Sequence, residues 1–314
     1  MHQTQSSSQH GIPPPLPTIK DTNYTSSQPH IQSGGTLLLQ PCPSVSDESR
    51  RACHNFLCMK RLSQNDDHGY IFIFSCYQVQ PVIQNGPKCG MVALEMASTL
   101  VKGSYVTTEE ILTEARERGL SKQGEMFSAF ALQELAAHFL SSKVECLHLQ
   151  HSETTHCLDG KNLANQLINR NLVLIPYDSD KNHSPCQKRG HKAHWALLTG
   201  IFVAVKASDM TEELLSNCRR EPDVPMLYYW PDDPGPVLCD QLSKLVCEKA
   251  EDLFVLGHHG KSKYAGLWPL KDLLLSNDNL LETGPDRSLE DYVIPPGGVE
   301  AGLRSRFITI NMKS

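Results

Sequence analysis

The chain has 314 residues, 39% hydrophobic and 20% charged, with a formal net charge of -6. That apolar share suffices for one large core, and the acidic balance argues against a nucleic-acid binder, which would carry a basic stripe. No apolar run approaches the ~20 residues of a membrane-spanning helix. The opening MHQTQSSSQHGIPPPLP lacks the basic start and apolar stretch of a secretory signal, so a cytoplasmic protein with no membrane partner is expected.

Residues 1–65 are rich in Ser, Gln, Pro, His and Thr, with apolar clusters only at Leu37–Leu39 and Phe56–Leu57. So little apolar surface does not offset the entropy of ordering the chain. The segment reads as a disordered tail ahead of a folded domain at 66–314. Within it, Pro13, Pro14, Pro15, Leu16 and Pro17 favour a polyproline helix. Such a run is either a ligand for an aromatic-lined groove on a partner or a stiff spacer.

From Tyr70 onward the pattern is globular. Tyr70–Cys76 reads as a strand, and Cys89–Val101, apolar or small except for Glu95, as a buried helix. Thr108 is placed as the cap of a second helix, with Glu109 and Glu110 in its first turn, where the helix dipole favours acids. A third helix is expected at about 125–140, a strand at 144–149, a helix at 163–169 and a strand at 172–177. The long apolar run His194–Val205 is read as a strand that turns near Thr199 and Gly200. Strands at Met226–Trp230 and Leu253–Leu256, a short helix at Asp272–Leu275 and a closing strand at Leu303–Asn311 complete the pass. Helices first and strands afterwards indicate an α+β fold, its N-terminal helical part packed on an antiparallel sheet.

The cysteines number eleven. An odd count in a long chain without an export signal is read as reduced thiols. His183-x2-Cys186, His191-x2-His194 and Cys53-x4-Cys58 invite a metal reading. Structural zinc prefers paired Cys-x2-Cys knuckles, and the chain has none, so neither a metal nor another cofactor is expected.

The chemistry concentrates in Gln84-Asn85-Gly86-Pro87-Lys88-Cys89-Gly90. Asn-Gly-Pro is a turn signal that delivers Cys89 to the first turn of the buried helix. There the unpaired amides and the dipole favour a thiolate, the form that attacks a carbonyl carbon. Gln84 can reach back across the turn, so its side-chain amide and the backbone N–H of Cys89 would form an oxyanion hole. Gly90 leaves space beside the sulfur for substrate. An ordinary buried cysteine is the commoner case, but no other cysteine here has the turn, the glutamine and the glycine together. His194, opening an apolar strand with Trp195 beside it as a cover, is the best histidine to serve as general base and then general acid.

Gln84, Cys89-Gly90 heading a helix and His194-Trp195 opening a strand resemble the papain-like cysteine peptidases, in particular the branch similar to the C39-type bacteriocin-processing enzymes. More closely, QNGPKCGMVALEMAS, AHWALLTG, the segment Gly260–Leu270 and the ending GGVEAGLRSRFITI resemble the eukaryotic actin maturation protease family. The resemblance runs from about Tyr70 to the C-terminus. It implies a papain-like fold and an aminopeptidase that removes acetylated Met or Cys from the N-terminus of newly made actin. It also implies recruitment of profilin, which carries actin, by the Pro13–Pro17 run. Papain-like sites orient the histidine with a later Asn or Asp. Here the strand ending at Gly257 is the favoured location, with Asp232 and Asp233 nearer in sequence, and a backbone carbonyl or no third member also open.

The loop before His194 carries Lys181, Lys188, Arg189, His191 and Lys192, and Lys88 adjoins the cysteine. In an acidic protein such a cluster either attracts a negatively charged substrate, with Lys88, Lys188, Arg189 and Lys192 as its contacts, or is a solvated basic loop. Three further readings compete: an amidase or transpeptidase using the same pair, a non-catalytic adaptor acting through Pro13–Pro17, and a zinc protein built between His148 and His194.

Overall fold

The computed structural model describes residues 43–60, 69–150, 159–248, 252–285 and 289–313, and the apolar run around His194 is the spine of its sheet. In chain order the elements are α1 (Val45–Lys60), β1 (Tyr70–Cys76), α2 (Cys89–Ser98), α3 (Thr108–Glu117), α4 (Ala129–Phe139), β2 (Val144–His148), α5 (Lys161–Ile168), β3 (Leu172–Asp178) and β4 (Ala193–Lys206). They continue with α6 (Glu212–Ser216), β5 (Arg219–Arg220), β6 (Leu227–Tyr229), α7 (Pro236–Glu248), β7 (Asp252–His258), β8 (Gly266–Pro269), α8 (Leu270–Asp278), α9 (Gly298–Leu303) and β9 (Arg306–Ile310). The sheet order is β2-β9-β3-β4-β1-β6-β5, with β7 pairing β4 and β8 pairing β7.

The α+β expectation holds. The sheet is mixed rather than purely antiparallel, because β1 pairs β6 in parallel, Phe72 opposite Leu227. The expected turn at Thr199 and Gly200 is instead a change of partner within one continuous strand. Residues 193–198 of β4 pair β3 and residues 200–206 pair β1, while β7 follows 197–204 with a register shift between Leu198 and Gly200. A Cβ at Gly200 would sit 1.8 Å from the Ser75 carbonyl oxygen, so only glycine lets β1 approach there.

Side chains alternate across the sheet. Trp195 and Leu197 pack with Met91, Leu94, Leu132 and Leu135 of α2 and α4, whereas Ala196 and Leu198 pack with Leu163, Leu167, Leu242 and Leu273 of α5, α7 and α8. Helix α2 is apolar around its circumference because it is buried around its circumference. Its one acid, Glu95, accepts from the backbone N–H of Thr108 at 2.8 Å and so helps seat α3. The cap of α3 is Thr107, not Thr108, in a capping box with Glu110.

The segment expected as a tail at 1–65 contains a packed helix. Ala52, Cys53, Phe56 and Leu57 of α1 are buried against Phe72, Phe202 and Phe254 of β1, β4 and β7. The Pro13–Pro17 run lies outside the described residues. The cysteines among the described residues are free thiols. No helix among those residues is long and apolar enough to cross a membrane.

Candidate active site

The turn at Asn85–Lys88 delivers Cys89 to the first position of α2, and Gly86 takes the left-handed conformation it requires, with φ at +75°. The residue in the N-cap position is Lys88, whose side chain makes no capping bond. The first amides of α2 are therefore left to whatever lies beyond the helix end. Cys89 meets there the side chain of His194, which projects from the start of β4 and hydrogen-bonds the sulfur. The backbone amides of Trp195 and Gly90 also reach it. Burial raises the thiol pKa, but the charge and hydrogen bond of His194 and these amides outweigh it, so Cys89 is held below the ordinary thiol range. For His194, burial acts downward, and the sulfur together with the His259 carbonyl carries it above the ordinary imidazole range. The two shifts have the sense of a shared proton moving from sulfur to nitrogen.

The His194 Nε2 lies 2.7 Å from the backbone carbonyl oxygen of His259. A carbonyl only accepts, so Nε2 carries the proton and Nδ1 is left to face the sulfur. The orienting group thus follows the end of β7, next to the strand favoured from sequence, and it is a main-chain atom. Asp232, the alternative, is instead held by Arg170 at 2.8 Å. The His259 loop is fastened to the glutamine segment, with the Gln84 N–H donating to the Gly260 carbonyl at 2.7 Å. The Gln84 side-chain amide donates to the Gly86 carbonyl at 2.6 Å, within its own turn. One N–H of that amide is so employed, and its Oε1 is buried without a partner among the described residues.

Cys89, His194 and Gln84 line one cavity of about 100 Å³, closed by Pro87, Glu125, Met126, Phe127, Ala193 and Trp195. A larger cavity of about 470 Å³ lies elsewhere, between α5, α7, β7 and α8, and contains none of the three. Volume does not locate the chemistry here; the coupled thiol and imidazole do. Two side-chain roles differ from expectation. Gly90 does not open space for substrate: a Cβ there would press on Met126 and Trp195 at 3.1 and 3.2 Å, so the glycine lets α2 seat against them. Trp195 faces away from the imidazole, and its indole N–H donates to the Met126 carbonyl at 2.8 Å. Tyr177 and His183 surround His194 instead, with ring centroids 5.7 and 5.5 Å from it.

The cavity wall depends on Glu125, which the sequence pattern assigned only to the start of a helix. Its carboxylate accepts from the backbone N–H groups of Lys122, Gln123 and Val293 at 2.7–2.9 Å and from the Ser121 hydroxyl at 3.1 Å. Of the basic candidates, Lys88 pairs with Glu109 and Arg189 forks onto Glu282 at 2.8 and 3.2 Å. Lys188 and Lys192 are exposed. Lys261, which sequence reading passed over, is exposed and acts on His183, His194 and His259, and Lys192 acts on His183.

The fold and site together define an α+β protein with a thiol–imidazole pair at an uncapped helix N-terminus. A family model described as "Actin maturation protease-like, C-terminal domain" matches residues 79–202, which include both members of the pair. The chain is 33% identical over 276 residues to an actin maturation protease of Xenopus tropicalis, covering 85% of this chain and 83% of that one. It is 35% identical over 254 residues to one of Danio rerio, covering 76% and 74%, and 31% identical over 240 residues to one of Drosophila melanogaster, covering 75% and 70%. The chain belongs to the actin maturation protease family.

Proposed function

We propose that this chain is a cytoplasmic thiol aminopeptidase of papain-like fold that removes the acetylated N-terminal Met or Cys of newly made actin. The observation that carries the reading is the hydrogen-bonded Cys89–His194 pair at the end of α2, with opposite pKa shifts. His194 takes the thiol proton, and the thiolate attacks the carbonyl of the first residue. The Cys89 N–H and the second N–H of the Gln84 amide stabilise the oxyanion. The imidazolium then protonates the departing amine, leaving the first residue as a thioester on Cys89. Water, deprotonated by His194, releases it as the free acetylated amino acid. The cavity of about 100 Å³ suits one side chain, consistent with single-residue removal. Pro13–Pro17 would recruit profilin with its actin cargo.

The test is mass spectrometry of unprocessed actin, with profilin present, after incubation with the native chain and with Cys89→Ala. Loss of one residue with the native chain alone is expected. A new amide formed with an added amine would indicate a transpeptidase, and cleavage by Cys89→Ala would remove the thiol mechanism.

Substrate attraction is assigned to the exposed lysines rather than to the paired cations. Reversing Lys192 and Lys261 to Glu is expected to raise KM for acidic actin N-termini several-fold at low salt, with the effect fading as screening sets in at ~0.15 M. Reversal of Arg189 should do less, because Glu282 already neutralises it. Steady-state kinetics at two ionic strengths decides; equal KM values for native and reversed chains at low salt would sink the assignment.

A further inference from the structure

His183, His194 and His259 come from three separate stretches of chain, and each places a ring nitrogen within 4.8 Å of the others. No spacing rule finds such a set, because the residues lie in the loop before β4, in β4 and after β7. His194 and His259 are buried, and His183 is half-buried. The Nδ1 atoms of His183 and His259 are both buried without a hydrogen-bond partner among the described residues. Buried polar atoms are ordinarily satisfied, so two unpartnered imidazole nitrogens on rings of this cluster are free to bind a ligand.

We propose that His183, His194 and His259 form a site for a divalent transition metal of the zinc type, and that its occupation switches off the Cys89–His194 pair. Three imidazoles are a complete protein ligand set for tetrahedral zinc, whose ~2.0–2.1 Å bonds put ligand nitrogens about 3.4 Å apart. The rings must therefore close by no more than about 1.4 Å. His183 supplies that movement, since it lies on a loop, with its backbone in the left-handed region at φ +61°. Inhibition follows from the two nitrogens of His194. One donates to the His259 carbonyl and the other faces Cys89, so a metal on either nitrogen removes a bond that activation of the thiol needs. The inhibitory consequence rests on the thiol reading of the site; the binding itself does not.

The binding arm uses the full chain carrying Cys89→Ala, titrated calorimetrically with Zn²⁺ and followed spectroscopically with Co²⁺. One saturable site with tetrahedral cobalt bands is expected. Adding His183→Asn, which tolerates the left-handed backbone, should weaken it at least ~10-fold, on the scale of lost metal-site interactions. The activity arm adds Zn²⁺ to the native chain and to His183→Asn, each scored against its own metal-free rate on actin. Inhibition reversed by a chelator, needing at least ~10-fold more Zn²⁺ in the variant, is expected. Absence of a saturable site, or equal affinity with and without His183, overturns the site. The exposed His54–Cys58 pair, 3.5 Å apart, is a second place for zinc to sit, and binding there would be insensitive to His183. If native chain and variant were inhibited at the same concentration, zinc would be acting on the thiol alone and the switch would fall. If actin is not cleaved at all, the binding arm still decides the site.

Discussion

Replacing His194 with alanine is expected to lower kcat/KM by ~10²–10⁴-fold, the usual worth of a general acid–base group, and to move the alkylation profile of Cys89 to higher pH. The direction follows from the balance at the sulfur. Burial opposes ionisation, and the charge and hydrogen bond of His194 are the largest influences that oppose burial. With them gone, only the amides of Trp195 and Gly90 remain against it, so the thiol titrates later. In the native chain, iodoacetamide should therefore modify Cys89 at a pH below that of an ordinary thiol. The Cys89 peptide can be read by mass spectrometry without interference from the buried cysteines. Cys53 and Cys76 are pushed up to about 12, and Cys186 and Cys218 to about 11, in each case chiefly by burial. An alkylation profile unchanged by His194→Ala would mean that the pair is not coupled, whatever became of the rate.

The contrast among these cysteines explains what could be read from the chain alone. The place of Cys89 at a helix start was legible because it comes from local syntax: a turn, a helix start and an apolar helix behind it. His194 was legible because an apolar strand opening on a polar residue is conspicuous. The orienting group was not, because it is the carbonyl of His259, and a main-chain atom leaves no mark in the choice of side chain. Only the neighbouring strand, ending at Gly257, was favoured from sequence, with a backbone carbonyl among the alternatives left open. Trp195 was assigned to the wrong face because its neighbour in sequence lies across the sheet from it. Glu125 was missed because four unrelated donors, one of them from Val293, converge on it only after folding. The acidic partners of the basic loop were illegible for the same reason: Glu282 and Glu109 pair with Arg189 and Lys88 from distant parts of the chain. The tail was over-extended because composition averages over a window, and one helix with a narrow apolar face is diluted by the prolines and serines before it.

That helix supplies the largest expected effect on stability. Phe56→Ala is expected to cost about 3–5 kcal/mol, the range for removing a buried aromatic ring. Phe56 is fully buried, with ring centroids 5.3–5.9 Å from those of Tyr70, Phe72, Phe202 and Phe254, so little can collapse into the space it leaves. A detached tail would instead show the ±0.5 kcal/mol or so of an ordinary surface change. The denaturant midpoint separates the two, provided the slope stays constant. Polar contacts make α1 more than a hydrophobic cover. Buried Glu48 accepts from the backbone N–H of Ala265 at 3.3 Å, Arg51 donates to the Ala265 carbonyl, and the Ser49 and Tyr229 hydroxyls lie 2.8 Å apart. Ala265 ends the loop that begins with His259, so α1 braces the far side of the segment whose carbonyl orients His194. Glu48→Ala should therefore unsettle that loop as well as the fold. Leaving Arg51 and the Ala265 N–H without their carboxylate is expected to cost about 1–3 kcal/mol. If the His259 loop depends on this brace, hydrogen exchange at residues 259–265 will quicken more in Glu48→Ala than in Phe56→Ala at matched stability. Equal protection in the two variants would confine α1 to covering the core.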